Sequence, residues 1–218
     1  MLITLLKGKL LMEMLDIFDE NHNLIGTCSK KEVHEKGYWH QVFACLFINS
    51  RNNLVYLQYK NNSHNPLSSL NKLDISVSGH LISGETHKDG VREIKEEASL
   101  DVSYDQLHYL GMHKTNVTIN KDYIIREFHY EHIYDYDFSN DKLQSIDDEV
   151  LYFVAFDLDK LLNFIKNPQG NILGQTPYGT QKFTKDDFIT AYLDETKYYE
   201  KYLYLAKKII KNEPVSWK

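Results

Sequence analysis

Gly79-His-Leu-Ile-Ser-Gly84-Glu85-Thr-His-Lys-Asp-Gly90-Val-Arg92-Glu93-Ile-Lys-Glu96-Glu97-Ala-Ser-Leu100 is the stretch on which the reading of this 218-residue chain turns. Thr86-His-Lys-Asp89 has capping-box spacing, in which a hydroxyl and a carboxylate three residues apart satisfy each other's backbone amides, so a helix is expected to start there. At about 100° per residue, Glu93, Glu96 and Glu97 fall within an arc of about 100°, and Val91, Ile94 and Ala98 fall on the opposite side. One face suits burial; the other gathers three carboxylates. Like-charged i,i+4 pairs cost ~0.2–0.5 kcal/mol each on an exposed helix and more in a closed site, a cost that a divalent cation removes. Carboxylate oxygens are the ligands Mg²⁺ and Mn²⁺ favour, with waters and substrate phosphates filling the other positions. Arg92 stands one turn before Glu96, where it can pair with and orient a ligand carboxylate. Gly79 and Gly84 flank a loop whose backbone can approach a metal or phosphate. The competing reading is a solvated helix face, since Arg-Glu-Ile-Lys-Glu-Glu is also common surface patterning.

Working outward, Glu13–Phe18 and Leu24–Thr27 flank the polar run Asp19–Asn23 and predict an opening hairpin. Gln41–Asn49 and Leu54–Tyr59 are β-rich and apolar enough for central strands, and Asn61–Ser69 is turn-rich loop. Asp74–Ser78, Asp122–Glu131 and Val150–Phe156 are further strands, and Phe156–Ile165 has helical spacing. The tail Thr184–Lys211 is helix-rich, opens on a second capping pattern at Thr184–Asp187, and carries an apolar stripe of Tyr202, Leu205, Ala206, Ile209 and Ile210. That stripe is a packing surface, for its own domain or for a second copy of the chain in a homodimer. Strands mixed with few helices predict an α/β sandwich with a mixed sheet.

With 31 acids against 25 bases and a net charge of −6, the chain gains little from counterion release on a nucleic-acid polymer. The balance leaves room for one small anionic ligand held through a metal. Cys28 and Cys45 are too few for a disulfide framework and too far apart for a CxxC motif, so a reduced, cytoplasmic protein is expected. Met1–Leu11 is interrupted by Lys7 and Lys9 and reads as a leader element packed on the domain rather than a signal sequence. No apolar run is long enough to span a membrane.

The spacing Gly79, Glu85, Arg92-Glu93, Glu96-Glu97, Leu100 resembles the box of the Nudix hydrolase family. Two positions depart from it: six residues, Thr86 to Val91, stand where the box has seven, and Ser99 replaces its final glycine. The run Leu15–Asn21, Glu32-Val-His34, Tyr38-Trp-His40 and Leu73–His80 further resembles the Nudix branch related to isopentenyl-diphosphate isomerase, over roughly residues 12 to 160. The resemblance implies a Nudix-type α/β/α sandwich with a mixed β-sheet, residues 1–165, and a helical C-terminal extension, 166–218, packed on it. It implies a metal-dependent pyrophosphohydrolase cleaving an X-linked diphosphate. Glu93, Glu96 and Glu97, with the Gly79 carbonyl, would hold Mg²⁺ or Mn²⁺. Glu97, if freed from the metal, or else Glu149 would take the water's proton, and Glu85 and Arg92 would align the ligands. Glu127 and Glu131 are lesser candidates for the base; Lys60, at a strand end, is a candidate phosphate contact, though a snorkelling surface lysine is the commoner reading.

In the isomerases, histidines from two upstream segments, one just after the box glycine and two late acids hold a metal; His34 or His40, His80, Asp147 and Glu149 are the positions that could correspond. Isomerase chemistry also needs a cysteine before the box glycine, where this chain has Ser78, a much poorer acid than a thiol. Hydrolysis is therefore the first expectation. An isomerase acting on isopentenyl diphosphate, or a module that holds a nucleotide without cleaving it, are the alternatives. The expected partner is a small-molecule diphosphate, not a nucleic-acid polymer or a membrane.

Overall fold

The structure, a computed structural model, describes residues 13–61, 72–138, 143, 149–190, 192–193 and 197–217. The leader at 1–11, most of the loop after Asn61, and Asp147 lie outside them. Alternation in the apolar run that forms β3 (His40–Asn49) organises the molecule. Ala44, Leu46 and Ile48 point to one face, and Phe43, Cys45 and Phe47 to the other. A strand that is apolar on both faces must be covered on both, and it is.

In the sheet, β3 pairs in parallel with β8 (Tyr123–Asp135) and antiparallel with β4 (Leu54–Lys60). The path runs β11-β10-β9-β4-β3-β8-β7, with β9 at Val150–Asp157, β7 at His108–Asn120, β10 at Ile172–Thr176 and β11 at Gly179–Phe183. The short strands β5 (Leu73–Asp74) and β6 (Val77–His80) lie off this path, β5 on β4 and β6 on β3. A separate hairpin, β1 (Met14–Phe18) with β2 (Leu24–Ser29), leads into α1 (Lys30–Lys36). Helix α2 (Val91–Ala98) covers the Phe43 face through Ile94 and Ala98. On the Leu46 face pack α3 (Leu158–Lys166) and α4 (Tyr198–Ile210), the latter through Tyr202, Leu205 and Ala206 of the stripe. The result is an α/β/α sandwich with a mixed sheet.

Several elements differ from expectation. The helix after the glycine loop begins at Val91, not Thr86. Asp89 does accept from the Thr86 amide and hydroxyl, at 2.8 and 2.7 Å, but this closes a turn, and the chain then passes Gly90 so close to Phe43 that a Cβ there would lie 2.5 Å from its ring. The 13-residue strand β7 carries no clear apolar alternation in its sequence; it forms because its long ladder with β8 supplies partners for its backbone. Segment 166–218 is not wholly helical: β10 and β11 extend the sheet before α4, and Thr184–Asp187 caps a single 3₁₀ turn.

What positions the site is the parting of β3 and β4. They pair only between Phe47–Asn49 and Leu54–Tyr56; beyond that β6 takes Val42–Cys45 and β5 takes Gln58–Tyr59. β6 therefore extends the sheet beside the first half of β3, with α2 packed over one of its faces.

Candidate functional site

On the α2 side, Gly79 lets Glu93 reach the strand. A Cβ at residue 79 would lie 2.0 Å from the Glu93 carboxyl carbon. Glu97, one turn later and 3% exposed, accepts the Ser78 amide at 3.0 Å. Burial pushes the Glu93 carboxyl up to about 7, against the pull of Arg92, and that of Glu97 up to about 8, against Lys60. Glu96 sits further out, its side chain 47% exposed, and Lys95 is on the outer face beside Asp101.

Arg92 ties this face together. Its Nε and Nη2 donate to the two Glu85 oxygens at 3.0 and 3.1 Å, its Nη1 to Glu96 at 2.8 Å, and its Nη2 lies 2.9 Å from Glu93 and 3.2 Å from the His80 carbonyl. Glu85 also accepts the Ile82 amide at 2.9 Å, so the loop that is one residue short still delivers its carboxylate to the guanidinium. Burial opposes charge on Arg92, but Glu85, Glu93 and Glu96 outweigh it and hold the proton more firmly than usual. At the helix end Ser99 adopts φ 57°, the left-handed conformation a glycine would take without strain.

Lys60 closes the inner end. It is not a surface lysine: its ammonium lies 3.4 Å from Asp74, and Asp74, Glu97 and Glu149 overcome the burial that disfavours its charge. Glu149 precedes β9 with its carbonyl accepting the Asn61 amide at 2.8 Å, within electrostatic reach of Lys60 and Glu97.

Across β6 a second group forms. His34 from α1, His40 from β3, His80 from β6 and Glu127 from β8 bring one donor atom each within 4.8 Å of one another. The Nδ1 of His40 lies 3.0 Å from the Tyr38 carbonyl, and that of His34 lies 3.4 Å from Ile124. Carbonyls can only accept, so these contacts place the proton on Nδ1 and leave the Nε2 lone pair for the cluster. The Nε2 atoms of His34, His40 and His80 are all buried without a hydrogen-bond partner. Burial and the neighbouring Lys30 and His40 hold His80 well below the usual imidazole range, so it is a neutral donor. Three unpaired imidazole nitrogens facing one carboxylate fit a borderline cation such as Zn²⁺ or Mn²⁺ better than Mg²⁺, which prefers an all-oxygen shell.

Both His34 and His40 belong to this group, and the acid that joins them is Glu127. Glu149 lies instead beside Lys60, because β9 enters the sheet on the far side of β4. Glu127, His129 and Glu131 alternate along β8, which sends them to one face of the sheet. That period-two pattern of ligand-type residues was the available signal for Glu127.

The mixed sheet between helices carries an Arg-Glu helix laid over the strand that contains Gly79. The chain is 37% identical over 186 residues to an uncharacterised Nudix hydrolase of Clostridium acetobutylicum, covering 81% of this chain and 90% of the relative. It is 34% identical over 103 residues to an uncharacterised Nudix hydrolase of Nostoc, covering 46% of this chain and 59% of that protein. A solved Deinococcus radiodurans structure shares the fold with a TM-score of 0.50 at 20% identity, covering 71% of this chain and 89% of the other. No family model matches. The extent of the first similarity places the chain in the Nudix hydrolase family.

Proposed function

We infer that the protein is a divalent-metal hydrolase that cleaves the phosphoanhydride of a small X-linked diphosphate. One observation carries this reading: two buried carboxylates, Glu93 and Glu97, stand against the backbone of Gly79 and Ser78 on one short helix, an arrangement that favours taking up a cation. Glu93, Glu96, Glu97 and the Gly79 carbonyl would hold Mg²⁺ or Mn²⁺, which supplies charge neutralisation for the diphosphate and an acidified water. Arg92 keeps Glu93 and Glu96 in register and is itself held by Glu85. Glu97, if freed from the metal, or else Glu149 would take the water's proton. Lys60 faces the Glu97 carboxylate from the strand side and offsets its charge. The histidine group with Glu127 would hold a second, softer cation.

A panel of nucleoside diphosphate derivatives, dinucleoside polyphosphates and isoprenoid diphosphates, assayed with Mg²⁺ and with excess chelator, tests the reading. Turnover of at least one member, abolished by chelator and restored by Mg²⁺ or Mn²⁺, is expected; full activity in chelator would overturn it. The histidine group also supports a second reading, an isomerase of isopentenyl diphosphate, because its ligand types come from the segments that resemble that branch. Formation of the dimethylallyl product would favour it. Hydrolysis remains preferred because Ser78 supplies no thiol.

A further inference from the structure

Behind Glu127, away from the histidine group, runs a buried line of polar side chains that the hydrolytic reading does not use. Glu127 Oε1 faces His40 at 3.4 Å and His80 at 4.0 Å. Its other oxygen, Oε2, is taken by His129 Nε2 at 2.6 Å. On the far side of that imidazole, His129 Nδ1 lies 3.7 Å from Glu131, a fully buried carboxylate. Glu131 is contacted by His113 Nδ1 at 2.9 Å, and the hydroxyl of Tyr198, 3.1 and 3.0 Å from its two oxygens, shares its one proton between them.

Tyr198 is the first residue of α4, in the C-terminal extension. The end of the chain fixes it there. The Trp217 amide donates to the Leu110 carbonyl at 2.6 Å, and the indole stacks on His113 at 5.1 Å and meets Tyr202 edge-on at 4.6 Å.

We propose that the C-terminal helix belongs to the metal centre: Tyr198, acting through Glu131 and His129, is a positioning residue that turns the free oxygen of Glu127 toward His34, His40 and His80. A fully buried carboxylate keeps its place only while its charge and lone pairs are satisfied, and the Tyr198 hydroxyl, its one proton shared between the two oxygens, supplies a donor there. Without that hydroxyl, Glu131 shifts onto the two imidazoles, draws His129 away from Oε2, and frees the Glu127 carboxylate to rotate. Partners that orient a ligand in this way typically contribute 10–100-fold in metal affinity. Tyr199 provides an internal control: one residue along the same helix, its buried hydroxyl donates at 2.6 Å to the Leu73 carbonyl and touches none of this line.

The proposal rests on the histidine group being a metal site, so the experiment separates the two. Zinc affinity of the full chain is measured by competition with a chromophoric chelator for wild type, His80→Asn, Tyr198→Phe, Tyr199→Phe, His129→Gln and the double variant His129→Gln/Tyr198→Phe, with melting temperatures alongside. Wild type should bind a zinc ion that His80→Asn loses. Tyr198→Phe should weaken binding about tenfold or more and Tyr199→Phe leave it unchanged, at similar melting temperatures. In the His129→Gln background, Tyr198→Phe should cause no further loss, since its influence passes through His129.

Wild-type zinc affinity in Tyr198→Phe, an equal loss in Tyr199→Phe, or a full additional loss in the double variant overturns the proposal while leaving the metal site standing. Failure of wild type to bind zinc through His80 removes both. Should Tyr198→Phe not fold, Glu131→Gln takes its place, and unchanged zinc affinity in that variant overturns the proposal equally.

Discussion

The two faces of β6 carry two clusters of ligand-type residues built in opposite ways. On the α2 side, Glu93, Glu96 and Glu97 come from one helix and are matched by cations of the protein itself, Arg92 and Lys60. On the other side, His34, His40, His80 and Glu127 come from four elements and present three unpaired Nε2 atoms. The first cluster is a set of carboxylates, two of them buried, partly neutralised in advance and suited to a hard cation that arrives and leaves with a phosphate. The second is three imidazoles and one carboxylate, with His34 and His40 aimed by backbone carbonyls, suited to a resident ion. Two clusters built so differently should be damaged separately.

The heaviest blow should come from Glu97→Gln, which keeps volume and helix propensity but removes the charge and the proton acceptor. A fall in kcat of about 10²–10⁴ is expected with Mg²⁺, while Lys95→Gln, on the exposed face, changes nothing. Wild-type turnover in the Glu97 variant would leave α2 as a structural helix. Gly79→Ala comes next. The added methyl must expel Glu93, and a misplacement of that size costs about tenfold to hundredfold. Zinc binding by the histidine group should survive Gly79→Ala, measured on the same preparation; loss of both would mean the two clusters are one site.

The same contrast decides what could be read from the sequence. The acidic cluster was legible because it lies within a single stretch with helical spacing, and the strands β3, β4, β8 and β9 because each is an apolar or β-branched run. The histidine cluster spans residues 34 to 127, and its assembly depends on β3 and β8 lying side by side in parallel, a pairing no local pattern encodes. Glu149 reads from sequence as a stronger candidate than Glu127, both being acids near a late strand; only the order of strands places Glu127 beside the histidines and Glu149 beside Lys60. The hairpin β10–β11 was missed for a different reason: Asn167–Tyr178 is rich in Gly, Pro, Asn and Gln, and its strands hold through sheet extension rather than through their own propensity.

Protonation gives a smaller but signed test. Glu93 and Glu97 have carboxyls raised to about 7 and 8 in the metal-free fold, above the ordinary 4.5. The folded state therefore binds protons that the unfolded chain has already released. Stability present below about pH 4.5 is lost as pH rises through 7 and 8. The metal-free protein should melt several degrees lower at pH 9 than at pH 6, and saturating Mg²⁺ should narrow the gap, because the cation replaces the protons. A melting temperature that rises over this interval without metal would mean that the two carboxylates are already compensated by Arg92 and Lys60.

The smallest expected effect separates hydrolysis from isomerase chemistry at the strand between the two clusters. Ser78 stands where the isomerase branch carries its cysteine, yet its link to the acidic cluster is the backbone amide, which donates to Glu97 at 3.0 Å. Ser78→Ala keeps that amide and the pairing of the residue with Ala44 across β3 and β6. It removes only a hydroxyl that, as an acid, is far weaker than a thiol. Hydrolysis in this variant should stay within about twofold of wild type, the ordinary range for a substitution that leaves the transition-state contacts in place. A loss of about a thousandfold, with the melting temperature unchanged, would show that the hydroxyl itself takes part in the chemistry. In that case the strand, rather than the helix, would carry the proton-transfer step.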